Sequence, residues 1–298
     1  MRIPRQNHNN NSGLIVWRKS PGLTSFDSLG EIKRYLNTGK VGHTGSLDKF
    51  AEGLLLVLAG RALRLSKWFT LCDKQYEAII CFGNETDTLD PEGVIVSSAP
   101  LPSLEAFTQA LMQFTGNIEQ APPAYSAIHI DGERASSLAR RGCTVEMKKR
   151  PVIIYRMELL SWEPPFAKVF VHCSSGTYIR SLARDMALAS GSRAHLTALL
   201  RTGVSGFKLE DAVSDLPLIL PIDKTIFNKL DIPVIEVESN LVKNIINGKP
   251  LMQILKTLPF ETLPAKKKSI AVFSDEKFIA MIENKNNNWT YGFVYESN

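Results

Sequence analysis

The stretch KVGHTGSLDKFAEGLLLVLAG, residues 40–60, determines most of what the sequence predicts about this protein. Its second half, GLLLVLAG (53–60), is the longest apolar run in the chain and predicts a buried strand or a buried helix. Its first half is a polar loop in which Gly42 and Gly45 flank a His-Thr pair, so the backbone can approach another group closely. The loop therefore places polar side chains at the edge of a buried segment.

Two interpretations of Asp48, the acidic residue of this loop, stay open on residue type alone. A carboxylate held on a polar turn beside buried chain can act as a nucleophile or as a general base. An aspartate here can also cap the element that begins at Lys49, which is the commoner role of such a residue. His43 is open in the same way, because a single histidine is more often a hydrogen-bonded loop residue than a catalytic group.

Strands and helices follow one another irregularly on both sides of this loop. LIVW (14–17) predicts a strand that ends at the turn KSPG (19–22). Thr24 or Ser25 then caps a helix whose apolar residues recur at helical spacing, namely Phe26, Leu29, Ile32 and Leu36. Further strands are predicted at 74–83, 150–162 and 166–173, and helices at 103–116 and within 174–191. Without strict βαβ alternation, these elements predict an α+β fold with a mixed, largely antiparallel central sheet flanked by helices.

A second, β-rich unit is predicted from Asp231 onward. It has a short helix at 241–246 and strands at 269–274, 277–283 and 289–295, separated by turn residues. The predicted division is therefore a flexible leader over 1–12, a main domain over 13–230 and a small module over 231–298.

Composition excludes several classes of protein. The 298 residues are 44% hydrophobic and 22% charged, which is ordinary for a soluble globular chain. The longest apolar run is far short of the roughly 20 residues that span a bilayer, and the polar start has no secretory signal, so a cytoplasmic protein without membrane association is expected. The four cysteines are too far apart for a zinc site or a disulfide scaffold. No phosphate-loop, dinucleotide, zinc-protease or serine-hydrolase motif occurs, so nucleotide-dependent, zinc-protease and serine-hydrolase functions have no motif support.

Positive charge is concentrated in one segment. The whole net charge of +5 lies in residues 1–230, because residues 231–298 carry equal numbers of basic and acidic side chains. Residues 131–150 hold six of the basic side chains: Arg134, Arg140, Arg141, Lys148, Lys149 and Arg150. They form either an arm that contacts RNA phosphates or an ordinary exposed helix and loop. Tyr76 and Tyr125 likewise either stack on bases or pack in the core.

Arg180 and Arg184 are four residues apart, on one face of the predicted helix within 174–191. Arg180, near the start of that helix, could pair with a buried carboxylate and favour its ionised form. A surface arginine with a solvated head is equally consistent with the sequence.

Taken together, these segments resemble the TruB-type tRNA pseudouridine synthases of bacteria. Residues 19–25 (KSPGLTS) are similar to the family segment K-P-x-G-x-T-S, and residues 42–55 are similar to G-H-T-G-x-L-D-x-x-A-x-G-L-L. K-x-Y at 74–76, P-P-x-Y-S-A at 122–127, R-P-V at 150–152, C-S-x-G-T-Y-I-R at 173–180 and A-H-L at 194–196 follow in the order of the family. The resemblance covers about residues 13–215. The tail from Asp231 resembles, more weakly, a PUA-type RNA-binding module.

Three positions depart from the family pattern. Lys49 stands where a proline usually follows the catalytic aspartate, Ser136 replaces a tyrosine, and Leu200 replaces an arginine. These departures affect the loop shape and the fine contacts of the arm, which is placed at about 122–150. No group with a chemical role is removed.

The resemblance implies a pseudouridine synthase fold and the isomerisation of uridine 55 in the T loop of tRNA. Asp48 is then the nucleophile or base, Arg180 pairs with it, and Tyr76 stacks on the uracil and takes the proton from C5. The implied substrate-binding residues are His43, Gly42, Leu199, Tyr178, Tyr125 and Lys19, and the six basic residues of the arm contact the RNA backbone. Because the implied isomerisation involves no redox change, neither a metal nor a cofactor is expected. A monomer that needs only tRNA is expected. The alternatives are a guide-RNA-dependent pseudouridylase and a non-catalytic RNA-binding or tRNA-folding protein.

Overall fold

The computed structural model describes residues 12–251, 268–286 and 288–295. The predicted leader lies, apart from Ser12, outside the described residues. The strands are β1 (Gly13–Lys19), β2 (Val41–His43), β3 (Glu52–Ala59), β4 (Lys74–Phe82), β5 (Asn84–Thr86), β6 (Ile95–Ser98), β7 (Gly116–Gln120), β8 (His129–Ile130), β9 (Glu133–Arg134), β10 (Arg150–Glu163), β11 (Phe166–Cys173), β12 (Ala194–Val204), β13 (Phe207–Lys208), β14 (Val234–Glu236), β15 (Ser269–Ser274), β16 (Lys277–Lys285) and β17 (Asn288–Val294).

The α-helices are α1 (Leu29–Leu36), α2 (Ser66–Thr70), α3 (Leu104–Gln113), α4 (Ala135–Arg140), α5 (Ile179–Ala189), α6 (Lys224–Lys229) and α7 (Ser239–Ile246). Two short 3₁₀ helices cover Gly60–Leu65 and Leu209–Asp211. None of the helices within the described ranges has both the length and the apolar character required to span a bilayer.

A nine-stranded sheet forms the centre of the molecule. Its main path is β1-β3-β12-β4-β11-β10-β7, with β13 beside β12 and β2 beside β3. The β12–β3 pair is parallel and its other pairs are antiparallel. The predicted α+β fold with a mixed, largely antiparallel sheet is therefore confirmed.

One face of this sheet is covered by α3 and α5, and the alternation of β4 shows why. Tyr76, Ala78 and Ile80 point into the apolar cluster under these helices, whereas the residues between them are half-buried on the opposite face. Ser103 caps α3 as predicted, because its side chain accepts a hydrogen bond from the Ala106 N–H at 3.1 Å. Tyr76, one of the candidate residues, thus lies on the covered face.

The first helix begins later than predicted. α1 starts at Leu29, and neither Thr24 nor Ser25 caps it. Thr24 instead exchanges hydrogen bonds with Asp27 in a turn, so that Phe26 is 68% exposed and outside the buried face of the helix. The helical spacing of Phe26 was misleading because local side-chain bonds of Thr24 compete with the first helical turn.

The C-terminal part is a four-stranded sheet in the order β14-β15-β16-β17, with α7 packed against it. Its helix and three antiparallel strands match the sequence prediction, and the parallel strand β14 was not predicted. Phe273, Phe278 and Phe293 share one buried cluster with Leu54 and Phe69 of the main part. Apolar packing is therefore continuous between the two parts.

Candidate active site

Asp48 lies in the loop between β2 and β3, at the edge of the sheet face that α3 and α5 cover. Its side chain is 36% exposed, and Oδ1 accepts a hydrogen bond from Arg180 Nη2 at 2.8 Å. Residues 49 and 50 form a bend, and the next element is strand β3 from Glu52, so no helix follows for Asp48 to cap. A carboxylate that is both ion-paired and open to solvent can reach a ligand with its free oxygen.

Arg180, in the first turn of α5, is buried with only 5% of its side chain exposed. Its guanidinium lies between two carboxylates, because Nη1 is 3.3 Å from Asp90 Oδ2. Nη1 also donates to the Thr88 carbonyl at 2.7 Å, and Nη2 to the Tyr125 carbonyl at 3.1 Å. The interpretation of Arg180 as a solvated surface arginine is therefore wrong. Its buried charge is compensated on both sides, and its position is fixed.

Sequence reasoning missed Asp90. Its Oδ1 accepts hydrogen bonds from Thr88 Oγ1 at 2.6 Å and from the Glu92 N–H at 3.0 Å. Burial raises the pKa of Asp90, while the hydrogen bond from Thr88 and the charge of Arg180 act in the opposite direction. An aspartate before a proline in a polar loop is typical of a turn, so the sequence held no signal for this contact.

Tyr76 and Arg201 face each other across neighbouring strands. They are direct partners in the antiparallel register of β4 and β12, and both side chains are buried. Arg201 donates from Nε to the Leu54 carbonyl at 2.6 Å, and from its two Nη atoms to the Ser46 and Gly45 carbonyls at 3.3 and 3.2 Å. Sequence reasoning gave Arg201 no role, although a single arginine within the apolar strand HLTALLRTGV was the available signal.

The buried side chain of Lys19 also holds the loop of Asp48 in place. Lys19 is fully buried, and its ammonium donates to the carbonyls of Ala51, Ser20 and Lys49 at 2.5, 3.0 and 3.3 Å. Burial lowers the pKa of Lys19 to about 8. These three bonds use all three ammonium protons, so Lys19 holds the backbone of the loop that follows Asp48.

The side chain of Ser25 holds the same loop at the residue before the catalytic candidate. Its Oγ accepts from the Leu47 N–H at 2.8 Å and donates to the Leu47 carbonyl at 3.2 Å. The turn that replaces the predicted start of α1 therefore fixes the position of Asp48.

Three further sequence candidates lie around this centre. His43 ends β2 half-buried with its Nδ1 unpaired, and burial, followed by the charge of Arg201, lowers its pKa. Gly42 is packed so closely that an added Cβ would lie 2.9 Å from Leu63 Cδ2. Leu199 is buried in the same apolar cluster as Leu47 and Tyr76. Of the three, Leu199 therefore lies in the cluster of the residue before Asp48, while His43 is close enough to Arg201 for its charge to act on the imidazole.

Tyr125 and Tyr178 are both close to Arg180, Tyr125 through its backbone carbonyl and Tyr178 as the residue before α5. The Tyr125 hydroxyl donates to Asp87 Oδ2 at 3.1 Å, and burial together with this bond raises the pKa of Tyr125. Tyr178 precedes α5, and its backbone N–H and carbonyl both bond the side-chain amide of Gln120, at 2.8 and 3.1 Å. Burial raises the pKa of Tyr178. Both tyrosines are therefore neutral hydrogen-bonding groups at neutral pH.

The basic segment forms a small hairpin of β8 and β9, the helix α4 and an irregular stretch up to β10. All six basic residues predicted to contact RNA are exposed, namely Arg134, Arg140, Arg141, Lys148, Lys149 and Arg150. Arg141 differs from the rest because both of its Nη atoms contact the carboxylate of Glu133.

Comparison with known proteins decides the family. The sequence model described as "TruB family pseudouridylate synthase (N terminal domain)" matches residues 33–179. A tRNA pseudouridine synthase B of Borreliella burgdorferi is 46% identical over 204 residues, which are 67% of this chain and 72% of that protein. The chain belongs to the TruB family. The tRNA pseudouridine synthase B of Bordetella avium is also 46% identical, over 206 residues, which cover 68% of this chain and 84% of that relative. The enzyme of the same name from Treponema denticola is 44% identical over 223 residues, which cover 68% of this chain and 62% of that relative.

Solved structures agree with this family on the fold. A crystal structure of a Cbf5–Nop10–Gar1 complex matches with a TM-score of 0.67 and 22% identity, over 97% of this chain and 84% of that chain. An archaeal box H/ACA Nop10–Cbf5 complex matches with a TM-score of 0.64 and 22% identity, over 100% of this chain and 88% of that chain. At this identity the likeness confirms the pseudouridine synthase fold, including the β-rich C-terminal part. Asp48 and Tyr76 fall inside the segment matched by the TruB family, and Arg180 is the first residue after it.

Proposed function

We propose that this TruB-family chain isomerises uridine to pseudouridine in tRNA, at position 55 of the T loop. The observation that carries the proposal is the partly exposed carboxylate of Asp48, which is held by the buried Arg180 and lies close enough to Tyr76 for its charge to act on that hydroxyl. Relatives named tRNA pseudouridine synthase B, at up to 46% identity, support the same reaction and the same class of RNA.

The reaction requires that the target base leave the stacked T loop, at a cost of a few kcal/mol that contacts to the enzyme must offset. Asp48 then acts on the extruded uridine, either at the ring or through a glycal-like route. The bond from N1 to C1′ breaks, the uracil rotates, and a bond forms between C5 and C1′. Arg180 keeps the Asp48 carboxylate oriented through a charge-assisted hydrogen bond. Tyr76 stacks on the uracil and accepts the C5 proton.

RNA contacts are assigned around this centre. His43 contacts the T loop where the base leaves it, and Leu199 and Gly42 line the pocket. Tyr125 and Tyr178 contact the substrate on the side of α5, and Lys19 acts through the loop that it supports. The exposed basic residues of 131–150 contact phosphates. Residues 231–298 are a PUA-like RNA-binding module on a catalytic part of 13–230, and a monomer suffices because every proposed site residue lies in one chain.

Release of tritium from C5 tests the proposal directly. Unmodified tRNA carrying tritium at uridine C5 is incubated with the wild type, with Asp48→Asn, and with Asp215→Asn as a matched change of an exposed carboxylate away from the site. We expect one tritium per tRNA from the wild type and from Asp215→Asn, mapped to the T loop, and none from Asp48→Asn. Absence of release from a folded wild type that binds tRNA contradicts the proposal. Activity that then appears on adding cellular RNA would favour the guide-dependent alternative.

A further inference from the structure

We propose that Arg201 is a positioning residue for the proton transfers of this reaction, in which its guanidinium stabilises a transient phenolate of Tyr76. The inference rests on the proposed function and adds a requirement to it. Asp48 and Arg180 explain how the glycosidic bond is attacked. They do not explain how a buried tyrosine takes a proton from carbon.

The geometry places an uncompensated cation beside the Tyr76 hydroxyl. Arg201 and Tyr76 are register partners on adjacent antiparallel strands, so their side chains lie on the same face of the sheet, and the guanidinium is close enough to the phenol for its charge to lower the pKa of Tyr76 against the larger effect of burial. Within residues 12–251, the carboxylates of Asp48 and Asp90 bind Arg180. The Nε and both Nη atoms of Arg201 instead donate to the backbone carbonyls of Leu54, Ser46 and Gly45. No ion pair neutralises Arg201 among the described residues.

A second buried cation, Lys74, lies close enough to Arg201 for the guanidinium charge to lower its pKa further. Lys74, two residues before Tyr76 on β4, has its ammonium bound to the carbonyls of Thr70, at 2.8 Å, and Cys72. It has no carboxylate partner among the residues that the structure describes, and burial lowers its pKa to about 8. Arg201 stays protonated because a guanidinium does not lose its proton in proteins, so it is the permanent charge of the pair.

The reaction requires a positive charge beside Tyr76 only while the phenolate exists. Isomerisation removes one proton from C5 and adds one to N1. Once C5 is bonded to C1′, N1 is doubly bonded to C6. Tyr76 gives its hydroxyl proton to N1, and the phenolate then takes the proton from C5. The electron pair of the C5–H bond forms the C5=C6 bond, the π pair of C6=N1 becomes the lone pair of N1, and Tyr76 is neutral again.

Between these two transfers the phenolate must exist at a buried position. Burial raises the pKa of Tyr76, which agrees with a neutral hydroxyl before substrate binds. A buried anion is costly unless a cation or strong donors face it. Arg201 supplies both a charge and an N–H donor, in a position already fixed by three carbonyls, so no reorganisation is needed when the charge forms.

An isotope effect distinguishes this role from a structural one. Single turnovers are measured with tRNA carrying protium or deuterium at uridine C5, for the wild type, Arg201→Lys, Arg201→Met and the control Arg193→Met. Arg193 is a partly buried arginine paired with Glu85 before β12. We expect a rate loss of roughly 100-fold in Arg201→Met and a smaller loss in Arg201→Lys. Both variants should show a deuterium effect larger than that of the wild type, with KM for tRNA nearly unchanged, while Arg193→Met behaves as the wild type.

A second comparison removes the group through which Arg201 acts. In a Tyr76→Phe background, replacing Arg201 by Lys should cause no further loss of rate, because the hydroxyl is already absent. Slower turnover of the Arg201 variants without an increased isotope effect, or an additive loss in the double variant, would overturn the inference. So would failure of Arg201→Lys to fold, which would assign Arg201 to stability alone. A wild type that makes no pseudouridine instead overturns the proposed function, so the two failures are distinguishable.

Discussion

At the scale of single residues, the assignment of Asp48 predicts a separation of binding from chemistry. Asp48→Asn removes a charge without changing volume, and the remaining contacts of the pocket stay in place. We expect turnover to fall by at least about 10⁴-fold while the Kd for unmodified tRNA changes by only a few fold. Single-turnover assays and filter binding measure the two quantities. A large loss of binding with normal turnover of bound tRNA would contradict the assignment.

The environment of His43 predicts how stability depends on pH. Burial lowers the pKa of His43 in the folded state, so the unfolded chain binds more protons at this position as the pH falls below about 6.5. The free energy of unfolding should therefore decrease between pH 7 and about 5, and His43→Gln should decrease less steeply.

Urea unfolding at a series of pH values measures this slope. His129→Gln, an exposed histidine of the hairpin, is the matched control and should follow the wild type. Parallel curves for the wild type and His43→Gln would show that His43 gains its proton as easily in the folded protein as in the unfolded one.

The sequence predicted Asp48, Tyr76 and Arg180 because each stands in a local motif. The pairing of Arg180 with Asp48 was predicted with them, but the second carboxylate of Arg180 and the cation beside Tyr76 were not. Asp90 meets Arg180 through a loop at a separation of 90 residues, and Arg201 meets Tyr76 through the register of strands 125 residues apart. Such pairings depend on the order of strands in the sheet. Composition and periodicity along the chain do not determine that order.

At the scale of elements, the basic segment of 131–150 should act through charge rather than through fixed geometry. Replacing Arg140, Lys148 and Lys149 together by Gln should weaken tRNA binding, and should flatten the dependence of log Kd on log salt by up to about one unit per lost phosphate contact. Arg141→Gln alone should change the slope less than any one of these replacements, because its guanidinium is already paired with Glu133. An unchanged slope in the triple variant would show that the segment does not contact RNA.

Long elements were predictable where one physical signal dominated. Strand β4 alternates strictly between buried and half-buried residues, and α3 has both a serine cap and a glycine after its end. The start of α1 was not predictable, because Ser25 bonds the Leu47 backbone and Thr24 bonds Asp27. These bonds hold the loop of Asp48 in place and replace the first turn of the helix. Tertiary contacts therefore determine where α1 begins.

At the scale of the whole molecule, the C-terminal sheet should unfold together with the main part. Phe273 is fully buried in the cluster that contains Leu54 and Phe69, and Trp68 Nε1 donates to Ser269 Oγ at 3.0 Å. Phe273→Ala should therefore cost about 3–5 kcal/mol of stability and leave a single unfolding transition. Circular dichroism in the far and near ultraviolet, followed during urea titration, checks both points. Two separated transitions would show that the parts are energetically independent.

Removal of residues from Asp231 onward should then affect more than RNA affinity. The truncated chain would expose the apolar side chains that Phe273, Phe278 and Phe293 cover, so we expect a lower melting temperature and association as well as weaker tRNA binding. A truncated protein that remains monomeric and keeps its melting temperature would contradict this expectation.

The shared cluster also constrains the order in which the chain can fold during translation. Leu54 and Phe69 are translated well before Phe293, which packs in the same cluster. Part of the apolar surface around Leu54 and Phe69 must therefore stay uncovered until Phe293 has been synthesised and can pack against it. We infer that this interval is when nascent chains depend most on chaperones, and that ribosomes stalled before Phe293 hold a chain whose main apolar cluster is incomplete.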